Sequence, residues 1–182
     1  MSLITEDGTG LANAESYISV DDCTTYLNNV GATIWQTISL AEQEQALRRA
    51  TSYLVGFYRL KWKGRRVIIT QALDWPRVGV VLEDFGGSQG RQGMGSYGLF
   101  QVPFNIVPVE VKNACAELAL RATMGPLADD LTQNALSETV GPVTVKYDPY
   151  SPQRVRYPQI HNAIRVYLLQ SSSSSTVNLI RT

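Results

Sequence analysis

Residues 39–42, Ser-Leu-Ala-Glu, place a serine three positions before a glutamate. In that spacing the serine side chain caps a helix start and the glutamate side chain bonds back to the serine amide. Behind it, Ala46, Leu47, Ala50, Tyr53, Leu54 and Phe57 recur at helical spacing, with Arg48, Arg49 and Ser52 on the other face. The pattern predicts an amphipathic helix over about 39–58. A second strong pattern starts at Pro108, where a missing N–H is tolerated at a helix start. Its stripe is Val111, Ala114, Cys115, Leu118, Ala119 and Ala122, and Gly125-Pro126 ends it. Small residues on that stripe allow another helix to approach closely, so the helices around 39–58 and 107–124 are expected to form the core of a bundle.

Weaker signals fill the rest. Residues 5–18 begin with turn chemistry at Asp7-Gly8 and Gly10 and reach a short extended piece. Ser19 resembles an N-cap with Asp21 and Asp22 in the first turn, which predicts a helix to about Asn29 with Gly31 as its stop. Residues 70–75 suggest one helical turn stopped by Pro76, and 78–82 suggest a strand. Tyr157-Pro158 opens a last helix to about Leu169, with Ile160, Ile164, Tyr167 and Leu168 on one side. Val143, Val145 and Tyr147 alternate with Thr144 and Lys146, a strand pattern, and Pro142 places it at a sheet edge. No hairpin partner is evident for it, so it is expected to pair with a neighbouring subunit by strand addition. Six of the sixteen residues in 83–98 are glycine, which predicts a mobile loop. Five consecutive serines at 171–175 read as a flexible linker, and the apolar 176–182 tail as a docking segment. The fold class expected is mainly α: a small helical bundle with a short β element and an extended C-terminal arm. Residues 1–170 form one domain and 171–182 the linker and tail.

Composition narrows the function. A chain of 182 residues is long enough for one domain with a real core. Sixteen Lys and Arg balance sixteen Asp and Glu, so the positive excess usual in phosphate-binding proteins is missing. Cys23 and Cys115 fall in helical patterns and read as small buried hydrophobes, which fits a reducing compartment. The start of the chain lacks the basic and apolar regions of a signal peptide. No apolar run nears the ~20 residues of a membrane helix. The expectation is a protein made in a cytoplasm, with no membrane partner, and used there or assembled into something larger.

Candidate chemistry is sparse. GMGSYG at 93–98 matches G-x-G-x-x-G, but a dinucleotide loop needs a strand before it and a helix after it. Here more glycine precedes it, and Pro103 and Pro108 follow, so it reads as a loop. There is no P-loop. His161 is the only histidine, so it reads as a surface or interface residue, and one His with two distant Cys supplies no zinc spacing. The acid pairs Glu6-Asp7, Asp21-Asp22, Glu83-Asp84 and Asp129-Asp130 read as caps and turns. No catalytic residue, cofactor or metal is expected. Arg59, Lys61, Lys63, Arg65 and Arg66 surround Trp62, close to Tyr58, and put five cations in eight residues. Basic residues interleaved with an aromatic can grip single-stranded nucleic acid. A cationic helix end also complements the helix dipole, and the zero net charge favours that plainer reading.

Taken in order, EDGTGLANAESYIS, ALRRATSYL, ALDWPR, PVEVKNACAELALRA, SETVGPVTVKY and a late Tyr-Pro resemble the small head–tail connector (adaptor, head-completion) proteins of tailed phages, a family also described as DnaT-like ssDNA-binding. The resemblance spans roughly residues 5–169, and ALDWPR and SETVGPVTVKY carry most of it. It implies a non-catalytic virion protein, assembled in the host cytoplasm. It implies a homo-oligomeric ring, commonly a dodecamer, docked beneath a portal protein and receiving a tail or stopper protein. Intersubunit or portal contacts are then expected at Val143, Val145, Tyr147, Tyr157, Val177, Leu179, Ile180 and Arg181. The alternative is a single-stranded DNA-binding module using Arg59, Lys61, Trp62, Lys63, Arg65 and Arg66. In a connector those cations would touch channel DNA without reading its sequence.

Overall fold

In the computed structural model of the chain, residues 2–82, 101–128 and 157–169 are described, together with the backbone of 137–140 and 143–146. The capped stripe forms α2 (Leu40–Tyr58). Ser39 Oγ accepts from the Glu42 amide, and the Glu42 carboxylate accepts from the Ser39 N–H. The buried face of α2, including Ala46, Leu47, Ala50, Thr51 and Leu54, packs against α3 (Val109–Met124). From α3, Val111, Ala114, Cys115, Leu118 and Ala119 are buried. The small side chains bring the two helices close enough for Thr51 Oγ1 to lie 3.3 Å from Cys115 Sγ. Each fully buried leucine in this core, such as Leu47, Leu54 or Leu118, contributes about 1.5–3 kcal/mol.

α1 (Val20–Asn29) and α4 (Pro158–Ile164) also pack on α3. Ser19 caps α1 by accepting from the Asp22 amide, as its sequence suggests, and Gly31 follows with φ +80°. The architecture is therefore mainly α, a small bundle centred on α2 and α3. No helix among the described residues is long and apolar enough to cross a membrane.

Several expectations need correction. Pro108 is the N-cap residue of α3, one position before the first helical residue. Residues 70–75 form no helical turn. The buried Gln71 side chain takes the place of helical bonds there: its amide donates to Leu73 O and Pro76 O, and its Oε1 accepts from the Ile68 N–H. The strand expected at 78–82 is shorter and earlier. β1 (Arg65–Arg66) pairs antiparallel with β2 (Arg77–Val78), and Val81 then bridges Gln101. Gly64, at φ +67°, lets the hairpin close, because a Cβ there would collide with the Val78 carbonyl.

The last helix stops at Ile164 instead of about 169. A short 3-10 turn, Arg165–Tyr167, follows, and Leu168 bridges Trp62. The Lys63 N–H bonds to Tyr167 O (2.8 Å) and the Leu169 N–H to Lys61 O (2.7 Å). These inter-segment bonds replace continued helix and bury Tyr167 and Leu168.

The strand at Val143 does have a partner in its own chain. β3 (Ser137–Val140) pairs antiparallel with β4 (Val143–Lys146), from Val140↔Val143 to Ser137↔Lys146. The two-residue separation between the strands is the commonest hairpin spacing. Strand addition to a neighbour is not needed to satisfy this edge of β4. Tyr147, the 83–98 segment, and the 171–182 tail with Val177, Leu179, Ile180 and Arg181 lie outside the described residues.

The ALDWPR motif packs polar groups into the interior. Asp74 is fully buried and Arg77 nearly so. Arg77 donates to Lys63 O, Asp74 O and Gly64 O, and the Asp74 amide donates to the Tyr17 hydroxyl. The nearest ion-pair contact to the Asp74 carboxylate is Arg59 Nε at 3.4 Å, and neither carboxylate oxygen completes a hydrogen bond. Burial raises the Asp74 pKa, against the opposing pull of Arg59 and Arg77. A carboxyl with a raised folded-state pKa favours folding when protonated. That contribution is full below the unfolded pKa, near 4, and fades as pH rises through the folded value. Asp74→Asn is therefore expected to flatten the fall in stability between about pH 4 and neutrality. Urea midpoints measured across that range check this; parallel wild-type and variant curves would refute it.

Candidate functional site

As the chain leaves α2, residues 61–63 run extended alongside 167–169. Alternation in an extended segment sends neighbouring side chains to opposite sides. Trp62 therefore points inward while Lys61 stays exposed. Trp62 is only 2% exposed, with its ring 5.7 Å from both Tyr58 and Trp75. No base can stack on it, which corrects its expected role at the centre of a basic grip.

The five cations of this segment are dispersed. Arg59 reaches toward buried Asp74, although 46% of its side chain remains exposed. Arg66 Nη1 donates to Gln71 O, and Lys63 Nζ approaches Val81 O at 3.4 Å. Arg65 is exposed on β1. Lys61 Nζ sits 3.5 Å from the Phe57 ring centroid.

The structure instead gathers aromatic groups between the end of α2 and the start of α4. Tyr53, Phe57, Tyr58 and Lys61 come from the first side, and Tyr157, Pro158, His161 and Asn162 from the second. They line a cavity of about 390 Å³, within the ~300–1,000 Å³ range of small-ligand sites. Tyr53 and Phe57 are four residues apart on α2, so the helix stacks them on one face, and the turn after α2 brings Lys61 back over Phe57. Tyr53 and Phe57 are parallel at 5.6 Å, and Tyr157 meets Tyr53 edge-on at 5.5 Å. His161 lies over Tyr58 at 6.1 Å. The Tyr157 hydroxyl donates to Leu127 O, which fixes the ring. Arg121 lies 5.7 Å from the Tyr157 ring, and Glu117 holds it at 2.8 Å.

Cations flank the cleft and no carboxylate lines it among the described residues. Burial pushes the Tyr58 phenol up to about 12, and Tyr53 shifts in the same direction for the same reason. Both are hydrogen-bond donors at neutral pH.

Of the sequence candidates, Lys61 and Tyr157 meet here, joined by Tyr58 and His161. Tyr53 and Phe57 were missed as site residues because their spacing equally fits a core stripe. Only the backbone of Val143 and Val145 is described. Among the described residues, no group of three or more His, Cys, Asp or Glu side chains could hold a metal. Both cysteines are buried and unbridged, and burial pushes their thiols up, away from nucleophilic thiolate.

Comparison with curated proteins and with solved structures gives no match. A family model described as "Putative DnaT-like ssDNA binding protein" matches residues 1–182, and the chain belongs to that family.

Proposed function

We propose that this chain is a non-catalytic protein that binds single-stranded DNA. The observation that carries the reading is the surface at the C-terminal end of α2. There Lys61 lies against Phe57, and Arg59, two residues earlier, keeps 46% of its side chain exposed. Single-strand binders combine cations that follow the phosphates with ring faces that accept any base. The family description supports the same reading. A net charge of zero keeps the attraction local, so affinity is modest and falls with salt. Fluorescence anisotropy with a labelled oligothymidine of about 15 nucleotides tests this. Stronger binding to the single strand than to a duplex of equal length is expected. Equal affinity for both would refute single-strand recognition.

A second reading, a head–tail connector subunit, is favoured by the exposed apolar side chains. Leu60 is 91% and Ile69 88% exposed, and Leu40, Phe104, Val109 and Met124 are all at least 60% exposed. Exposed apolar surface of this kind suits assembly into a larger particle. In that reading the subunit closes into a ring, commonly a dodecamer, between a portal and a tail or stopper protein in the virion. Light scattering and negative-stain imaging with portal particles test it. Ring formation on the portal supports it, and no association contradicts it.

A further inference from the structure

We infer that the cleft between α2 and α4 is where a base of single-stranded DNA stacks, and that the basic segment around Trp62 is not. The inference rests on the single-strand reading above and assigns its site. Three observations lead to it. Trp62, the aromatic that the sequence offers for stacking, is 2% exposed and enclosed by Tyr58 and Trp75. The cleft instead presents the half-buried Tyr53, Phe57 and Tyr157, with exposed His161 at its edge. Its charge suits an anion: Lys61 lines it and no carboxylate does among the described residues, while Arg121, beside Tyr157, is paired with Glu117.

The rings divide the work. Lys61 covers a face of Phe57, and Tyr53 lies offset over the same ring, so Phe57 supports the wall. Tyr157 packs edge-on against Tyr53 and carries the aromatic lining across to α4. A flat base seated in the cleft of about 390 Å³ lies against these rings without its edge being read, which makes the site tolerant of sequence. Asn162 and Tyr53, both in the lining, carry hydrogen-bonding groups. Lys61 is placed to meet the phosphate that follows the stacked base.

The test uses the full chain, labelled oligothymidine, and two kinds of variant. Tyr157→Leu and Tyr53→Leu keep apolar volume and remove a ring that lines the cleft. Arg65→Gln removes a cation outside the cleft. Each Leu variant is expected to weaken binding about tenfold under conditions where urea unfolding shows it fully folded, and Arg65→Gln by less than about threefold. An oligonucleotide carrying 5-iodouracil is expected to cross-link, on irradiation, to the peptides holding Tyr53–Phe57 and Tyr157. This second readout stands even where a Leu variant loses stability. Wild-type binding that the Leu variants retain, with cross-links elsewhere, overturns the site and leaves the single-strand reading intact. Absence of wild-type binding at about 50 mM salt overturns the reading itself. Leu variants that bind oligonucleotide normally but fail to join portal particles make the cleft a protein socket and also overturn the inference.

Discussion

Arg77→Ala is expected to remove about 3–5 kcal/mol of folding stability, the range for breaking a buried, hydrogen-bonded charge group. Arg77 is 6% exposed, and its guanidinium donates to three carbonyls, those of Lys63, Gly64 and Asp74. These bonds tie β2 to the turn before β1. Alanine would leave those carbonyls short of donors and deprive the buried Asp74 carboxylate of one of its three attracting arginines. For a chain of this size each kcal/mol shifts Tm by roughly 2–4 °C, so a fall of about 6–20 °C is expected. Arg77→Lys should recover less than half of the loss, because one ammonium cannot reproduce the planar fork. Equilibrium urea unfolding measures both. A loss below about 1 kcal/mol for Arg77→Ala would show that this cluster does not hold the hairpin to the core.

Glu6→Ala should be the next most damaging substitution, at about 3 kcal/mol. The Glu6 side chain is 2% exposed and accepts from the amides of Gly8 (3.0 Å), Gly10 (2.8 Å) and Leu11 (3.0 Å). One carboxylate thus satisfies three donors of the N-terminal turn, and alanine leaves them without acceptors. Glu6→Gln keeps an oxygen but brings its own donors toward those amides, so it should recover only part of the loss. Hydrogen exchange at Gly8, Gly10 and Leu11 is the direct readout. Protection should collapse in Glu6→Ala, and protection equal to wild type would refute the role assigned to this side chain.

Both residues show where sequence reading stopped. The helices were legible because capping chemistry and apolar period agree: Ser39 with Glu42, Ser19 with Asp22, and the facing stripes of α2 and α3 all appear in the fold. Non-helical packing was not legible. Glu6 looks like half of a turn-forming acid pair, and nothing local says that its side chain folds inward. ALDWPR looks like a helical turn ended by proline, yet Gln71 replaces helical bonds with local side-chain bonds and Arg77 reaches back to Lys63 and Gly64. Trp62 misled for the same reason. Five neighbouring cations suggest an exposed segment, but its pairing with 167–169 turns the indole inward. The aromatic cleft was hidden in a different way. Its halves are about a hundred residues apart, and Tyr53 and Phe57 have the same spacing whether they face a core or a groove.

The account stands most directly on whether single-stranded DNA binds this surface electrostatically. The measurement is anisotropy of labelled oligothymidine against wild-type protein as salt is raised from about 50 to 200 mM. Binding is expected at the low end, with log K falling linearly against log salt at a slope of about −1.4 to −2.1, which corresponds to two or three phosphates met by cations near Lys61. No binding at the low end, or an affinity indifferent to salt, would contradict single-strand binding and leave assembly through the exposed apolar surface as the better account of this chain.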